Sequence, residues 1–175
     1  YFGRITEEKG VETVVQAYEK LQKYTVKIMG DDTTEEAIRL KRYIKEHKIK
    51  NIEFLGFKSG EELEDIIKGA RFTLIPSIWY DNLPNTALES FQYSKPVIAS
   101  NIGSLPELVV DGENGYLFKP ADTEDLIKKI KLLDDDTVVE KMGAASRRRL
   151  ESRFSPETHY EALMKVFSEA VKNNK

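Results

Sequence analysis

The sequence contains no cysteine. Disulfides, thiol nucleophiles and cysteine-ligated metals are thereby excluded. Histidine occurs only as His47 and His159, in separate helical segments without metal-ligand spacing. Both read as ordinary surface or packing residues, and no metal site is expected. No apolar run approaches the roughly 20 residues of a membrane span, and no signal-peptide pattern opens the chain. Neither sign of charge dominates: 27 Lys and Arg against 30 Asp and Glu leave a net −3. So weak a field does not favour nucleic acid or an anionic membrane as partner. Repeats, low-complexity tracts and internal linkers are also missing.

What remains is a chain of 175 residues, 40% hydrophobic and 33% charged. That suits a single globular domain with a sizeable core, over residues 1–175. Short apolar runs alternate with amphipathic ones. "VKIM" (26–29), "IEFL" (52–55), "FTLI" (72–75), "PVIA" (96–99) and "GYLF" (115–118) read as strands buried on both faces. "YF" at the start reads as the end of a further strand, as if cut from something longer. Helical patterns cover about 10–23, 34–48, 60–69, 85–94, 123–133, 135–152 and 156–172. Ser59 with Glu62 has capping-box spacing. Ser155 and Pro156 mark a helix start, and "DGENG" (111–115) a tight turn. The expectation is an α/β fold: a Rossmann-like, doubly wound parallel sheet of about six strands with a helical tail. Arg147, Arg148 and Arg149 read best as a solvated helix face, with an anionic lipid or a further domain as the sharper reading.

Such sheets bind ligands outside the carboxyl ends of their strands. Five loops are therefore of interest, the last in the chain being "SNIGSLPE" (100–107). In "GRITEEKG" (3–10), Gly3 permits a close turn, and Arg4 and Lys9 can form an anion site beside a helix start. Pairing of the two cations with Glu7 and Glu8 is the equal alternative. "GDD" (30–32) reads as a turn and helix cap. Acidic pairs of this kind also bind Mg²⁺ in receiver domains, but Lys95 precedes its strand and lies at the wrong end of the sheet. "GFKSG" (56–60) reads as a connector with a backbone edge open to a base. "PSIWYDNLPNT" (76–86) carries Trp79 and Tyr80, expected to pack on the sheet edge, then Asp81. Glu89 has two readings. It folds back on Thr86 in a capping box, or Pro84 opens the helix and Glu89 is free for a ligand.

Taken in order, these loops resemble the donor-binding half of family 4 retaining glycosyltransferases, which have the two-domain GT-B fold. "GRITEEKG" is similar to the family's Gly-Arg…Lys-Gly segment, and "MGDD" to its Gly-Asp-Gly turn with Asp32 in place of the second glycine. "FLGF" matches the base-side loop. "PSIWYDNLPNTALES" is similar to the Pro-Ser…Glu-x₇-Glu motif, and "KPVIASNIGSLPELVVDGENGYLF" to the segment after it. Two positions depart: Asp81 stands where the family has Glu, and Gly103-Ser104 where it has Gly-Gly.

The resemblance implies roles. Asp81 would contact the sugar hydroxyls and stabilise an oxocarbenium-like transition state. Arg4 and Lys9 would hold the diphosphate and assist catalysis, with Gly3 and Gly30 giving close backbone approach. Asn82, Leu83 and Pro84 would line the sugar, amides near Thr86 and Ala87 the phosphates, Glu89 the ribose, and Phe57 and Lys58 the base. The reaction implied is hexosyl transfer from a nucleoside-diphosphate sugar to a glycan or lipid-linked acceptor, without a metal or other cofactor. The acceptor domain would precede this half. The expected setting is the cytoplasm, at the inner membrane face if the full-length protein attaches peripherally. A non-catalytic receiver-like nucleotide module and a GT-B-type epimerase are the alternatives.

Overall fold

The structure is a computed structural model that describes residues 1–173. Five of the expected strands are present as short elements: β1 (Val26–Ile28), β2 (Ile52–Phe54), β3 (Thr73–Ile75), β4 (Val97–Ser100) and β5 (Gly115–Phe118). They alternate with α1 (Val11–Lys20), α2 (Glu35–Glu46), α3 (Gly60–Gly69), α4 (Asn85–Gln92) and α5 (Leu105–Leu108). Three helices close the described chain: α6 (Thr123–Leu132), α7 (Asp136–Arg153) and α8 (Pro156–Asn173).

All strand pairings are parallel, as the buried apolar runs imply. The sheet is divided, however. β1 pairs with β2, and β3, β4 and β5 form a second group in that order. The expected sixth strand is reduced to one bridge, Phe2 to Met29. Gly3 N donates to Met29 O at 3.0 Å, and Met29 N to Tyr1 O at 2.9 Å. A cavity of about 680 Å³ lies between the two groups, walled by Val26 and Lys27 on one side and Thr73 and Leu74 on the other. Its strand walls are largely the beginnings of β1 and β3, away from the loops that follow them.

Period-2 alternation explains the double winding. On β4, Ile98 joins a cluster with Val14, Ala17, Leu126 and Ile130, which belong to α1 and α6. Val97 and Ala99 face the other way, onto Ala87 and Phe91 of α4 and Leu105 and Leu108 of α5. β3 divides in the same manner, with Leu74 in the first cluster and Ile75 in the second. Burial on both faces therefore holds for β3 and β4. It fails for β1 and β2, where Lys27 and Glu53 are exposed, because these two strands form a separate two-stranded group with one face left partly open.

Local chemistry sets the helix ends. The Asn51 side-chain amide donates to the carbonyls of Tyr18, Leu21 and Tyr24 at 3.0, 3.1 and 2.7 Å, closing the C-terminal end of α1. Ser155 caps α8, its hydroxyl accepting from Thr158 N at 3.2 Å. Ser59 sits at the N-cap of α3 without a capping hydrogen bond, and Glu62 pairs with Lys58 instead of completing a box. The arginine run is not merely solvated. Arg147 donates to Gln92 O at 2.8 Å and Arg149 to Glu107 O, so both tie α7 to the chain beside α4 and α5. α8 exposes Tyr160, Leu163, Met164, Val166, Phe167 and Val171. No helix among the described residues is long and apolar enough to cross a membrane.

Candidate functional site

The loops after the strands converge through backbone contacts. Gly10, at φ +66°, sits against the chain that leaves β3: a Cβ there would stand 2.0 Å from the Pro76 carbonyl oxygen. Only glycine accepts both that backbone conformation and that approach. Ile78 N donates to Glu8 O at 3.0 Å and fastens the same two loops. Gly30, at φ +158°, similarly rests on Gly3, where a Cβ would stand 2.1 Å from the Gly3 carbonyl oxygen. Gly30 N donates to Gly56 O at 3.0 Å, bringing in the loop of Phe57 and Lys58. Thr34 caps α2 by accepting from Ala37 N at 3.2 Å and donates its hydroxyl to Ile5 O at 2.7 Å.

This convergence places Lys9 on Asp81. The ammonium lies 2.6 Å from Oδ1 and 2.8 Å from Oδ2. Ser77 adds a hydrogen bond of 2.9 Å to Oδ2. The pair is largely shielded, with side-chain exposures of 18% and 20%. Ser104 sits at the N-cap of α5 but does not cap it, and its hydroxyl donates to Asp81 O at 2.9 Å. A carboxylate has about four acceptor positions. Three are occupied here, which leaves one on Oδ1. The equal alternative, pairing of both cations with Glu7 and Glu8, is not formed: Lys9 takes Asp81, and Arg4 makes no ion pair among the described residues. Arg4 is exposed and lines a cavity of about 540 Å³ with Glu8, Trp79, Tyr80, Asp81 and Asn82. Trp79 and Tyr80 do not pack on the sheet edge. They are 65% and 74% exposed.

The capping-box reading of Glu89 is overturned. Pro84 is the N-cap of α4, so Thr86 is the second helical residue and Glu89 lies beyond capping reach. The Glu89 side chain is exposed and makes no hydrogen bond among the described residues. Ala87 N is occupied by Pro84 O at 2.9 Å. Among the described residues, the helix-start amides free of backbone partners are therefore those of Asn85 and Thr86, and Ala87 drops out of the expected set. Leu83 is half-exposed and, with Asn82, borders a second cavity of about 430 Å³ beside Ser104, Arg149 and Arg153. Phe57 is 75% exposed on the base-side loop. Asp31 and Asp32 are engaged locally, Asp31 by Thr33 N at 3.0 Å and Asp32 by Lys41.

Sequence reading passed over Gly10, Ser77 and Ser104 as parts of this site. Gly10 carried a signal, a glycine at a helix start beside a candidate cation. Ser77 stood in the Pro-Ser motif and Ser104 at a departure from the family pattern, but neither position signalled the contact with Asp81, which forms only in the folded loops.

The model of the glycosyl transferases group 1 family matches residues 1–149. The chain belongs to that family. An uncharacterized glycosyltransferase of Methanocaldococcus jannaschii is 28% identical over 97% of the chain and 47% of its own length. A glycogen synthase of Mycobacterium tuberculosis is 28% identical over 100% of the chain and 43% of its own length. The chain thus spans about half the length of the curated relatives it matches. Among solved structures, a sucrose-phosphate synthase from Thermosynechococcus elongatus superposes with TM-score 0.87 at 25% identity, over 98% of the chain and 45% of that structure. HepE of Anabaena, solved in complex with UDP, gives TM-score 0.87 at 21% identity, over 96% of the chain and 47% of that structure. The expected α/β fold, one half of a GT-B architecture, is the observed one.

Proposed function

We propose that this chain is the donor-binding part of a retaining glycosyltransferase that transfers a hexosyl group from a nucleoside-diphosphate sugar to a glycan or lipid-linked acceptor. The observation that carries the reading is the Lys9–Asp81 contact at 2.6 Å, with unpaired Arg4 in the cavity beside it. It unites the two loops to which the family resemblance assigns the diphosphate and the sugar. Arg4 and Lys9 offset the charge that develops on the leaving diphosphate, and the free amides of Asn85 and Thr86 add the positive end of α4. These donors are in place before reaction, so the reading needs no metal. Asp81 has one acceptor position left for a sugar hydroxyl, while Asn82, Leu83 and Pro84 continue the sugar wall. Glu89, exposed and unengaged, takes the ribose. Phe57, Lys58, Gly3 and Gly30 complete the base side and the floor. The exposed apolar face of α8 suits packing against the acceptor domain, and the inner membrane face suits a lipid-linked acceptor.

Thermal melts with UDP, GDP and ADP test the reading, since a ligand of the native state raises the melting temperature. One of the three raises it, and Glu89→Ala removes the increase without lowering the melt of the free protein. No response to any of them, each at millimolar concentration, defeats the proposal. Dependence on Asp32 rather than Glu89 would support the receiver-like alternative.

A further inference from the structure

Two large aromatic side chains, consecutive in the chain, are mostly exposed in the candidate site. Trp79 and Tyr80 are 65% and 74% exposed. Neither makes a side-chain hydrogen bond or ring contact among the described residues. Exposed single hydrophobics are ordinary, but adjacent ones in a polar-rimmed cavity mark a binding surface.

The backbone beneath them is fixed at both ends. Ile78 N is held by Glu8 O at 3.0 Å, and Asp81 O by the Ser104 hydroxyl at 2.9 Å. Gly103 lies directly below, where a Cβ would stand 3.3 Å from Tyr80 Cα. The aromatics are thus presented from an anchored loop, and a ligand does not have to order the chain in order to use them.

We propose that Trp79 and Tyr80 form a stacking platform for a pyranose ring of the acceptor glycan. A pyranose has an apolar C–H face and a rim of hydroxyls. An aromatic surface complements the face, and the indole N–H and phenol O–H remain available to the rim. Glu8 shares the cavity and supplies an acceptor to an adjacent hydroxyl, while Arg4, Asp81 and Asn82 on its other side are taken by the donor in the reading above. A nucleobase also stacks on aromatics, but the position of the cavity argues against one. Phe57, Lys58, Thr86 and Glu89 do not line it, so it adjoins the diphosphate and sugar end of the donor site and not its base and ribose end. The donor sugar belongs at Asp81. A ring over Trp79 and Tyr80 is the next one outward. The choice of acceptor over donor rests on the donor-binding reading above; the platform itself does not.

Trp79 is the only tryptophan of the chain, so intrinsic fluorescence reports on this platform alone. Acrylamide quenching of Trp79 is measured with methyl α-glucoside, methyl α-mannoside and maltotriose, each at high millimolar concentration. Separate arms contain a nucleoside diphosphate and a nucleoside-diphosphate hexose. At least one free saccharide is expected to reduce quenching about twofold, and the nucleoside diphosphate alone is not. Tyr80→Ala weakens the saccharide roughly 3- to 10-fold, and Tyr80→Phe retains it. Shielding by the nucleotide hexose alone overturns the proposal, because the ring would then be the donor's. Absence of shielding by every saccharide, in protein that the melts show to bind a nucleoside diphosphate, overturns it while the donor reading stands. Shielding without nucleotide binding supports the platform and removes the donor reading.

Discussion

Lys9 and Asp81 are 72 positions apart, and their coupling can be measured. The perturbation is a double-mutant cycle with Lys9→Met and Asp81→Asn. At 2.6 Å and an effective dielectric of about 20, the gross attraction is roughly 6 kcal/mol. Desolvation offsets most of it. Fully exposed pairs retain about 0–1 kcal/mol, and breaking a fully buried pair costs about 3–5 kcal/mol. Exposures of 18% and 20% place this pair between those limits, nearer the buried one. A coupling of about 1–3 kcal/mol is therefore expected from urea unfolding of the four proteins. The losses of the two single variants should add up to more than the loss of the double variant, because Asp81→Asn strands a shielded ammonium and Lys9→Met a shielded carboxylate. Nucleotide binding, followed by calorimetry, should weaken about tenfold or more in Lys9→Met, which removes a charge from the diphosphate. A coupling below about 0.5 kcal/mol would show that the contact does not join the loops energetically.

Gly10→Ala should cost about 2–4 kcal/mol, since it combines a left-handed backbone with a Cβ 2.0 Å from the Pro76 oxygen; a denaturation midpoint like that of the parent chain would contradict the close approach. Arg39 donates from α2 to Glu12 on α1 at 2.7 Å and, as the main cause, holds the Glu12 carboxyl below its ordinary value of 4.5. The folded value is depressed, so this stabilisation is complete above 4.5 and is lost as pH falls through the lowered value. Arg39→Gln should therefore flatten the acid side of the stability-against-pH curve, and an unchanged slope below that pH would refute the assignment.

Much of this was legible because the signals are local. Hydrophobic runs and periodicity located β1 to β5 and the long helices to within a few residues. Ser155 and Pro156 marked the start of α8 by capping chemistry alone. The loops were legible as candidates because an alternating α/β order puts them at one end of the sheet. The register at Thr86 stayed open because capping-box spacing also fits a helix that starts earlier. Only the φ and ψ of Pro84, as the N-cap, separate the two registers. Trp79 and Tyr80 were misplaced for a related reason. Aromatic residues next to a buried strand are expected to pack, and nothing in the sequence says that Gly103 lies against the backbone of Tyr80 and Asp81.

The sequence by itself determined the α/β alternation, the absence of thiol chemistry, the cations and acids available, and the loops that hold them. Those depend on residue type and on spacing over a few positions. The tertiary structure alone decided that Lys9 meets Asp81, that Arg4 stays free, that Ser77 and Ser104 support the acid, and that two aromatics face outward. Each depends on which strands are neighbours and on how closely Gly10 lets one loop approach another. That information is carried by packing across the sheet and by no short stretch of the chain.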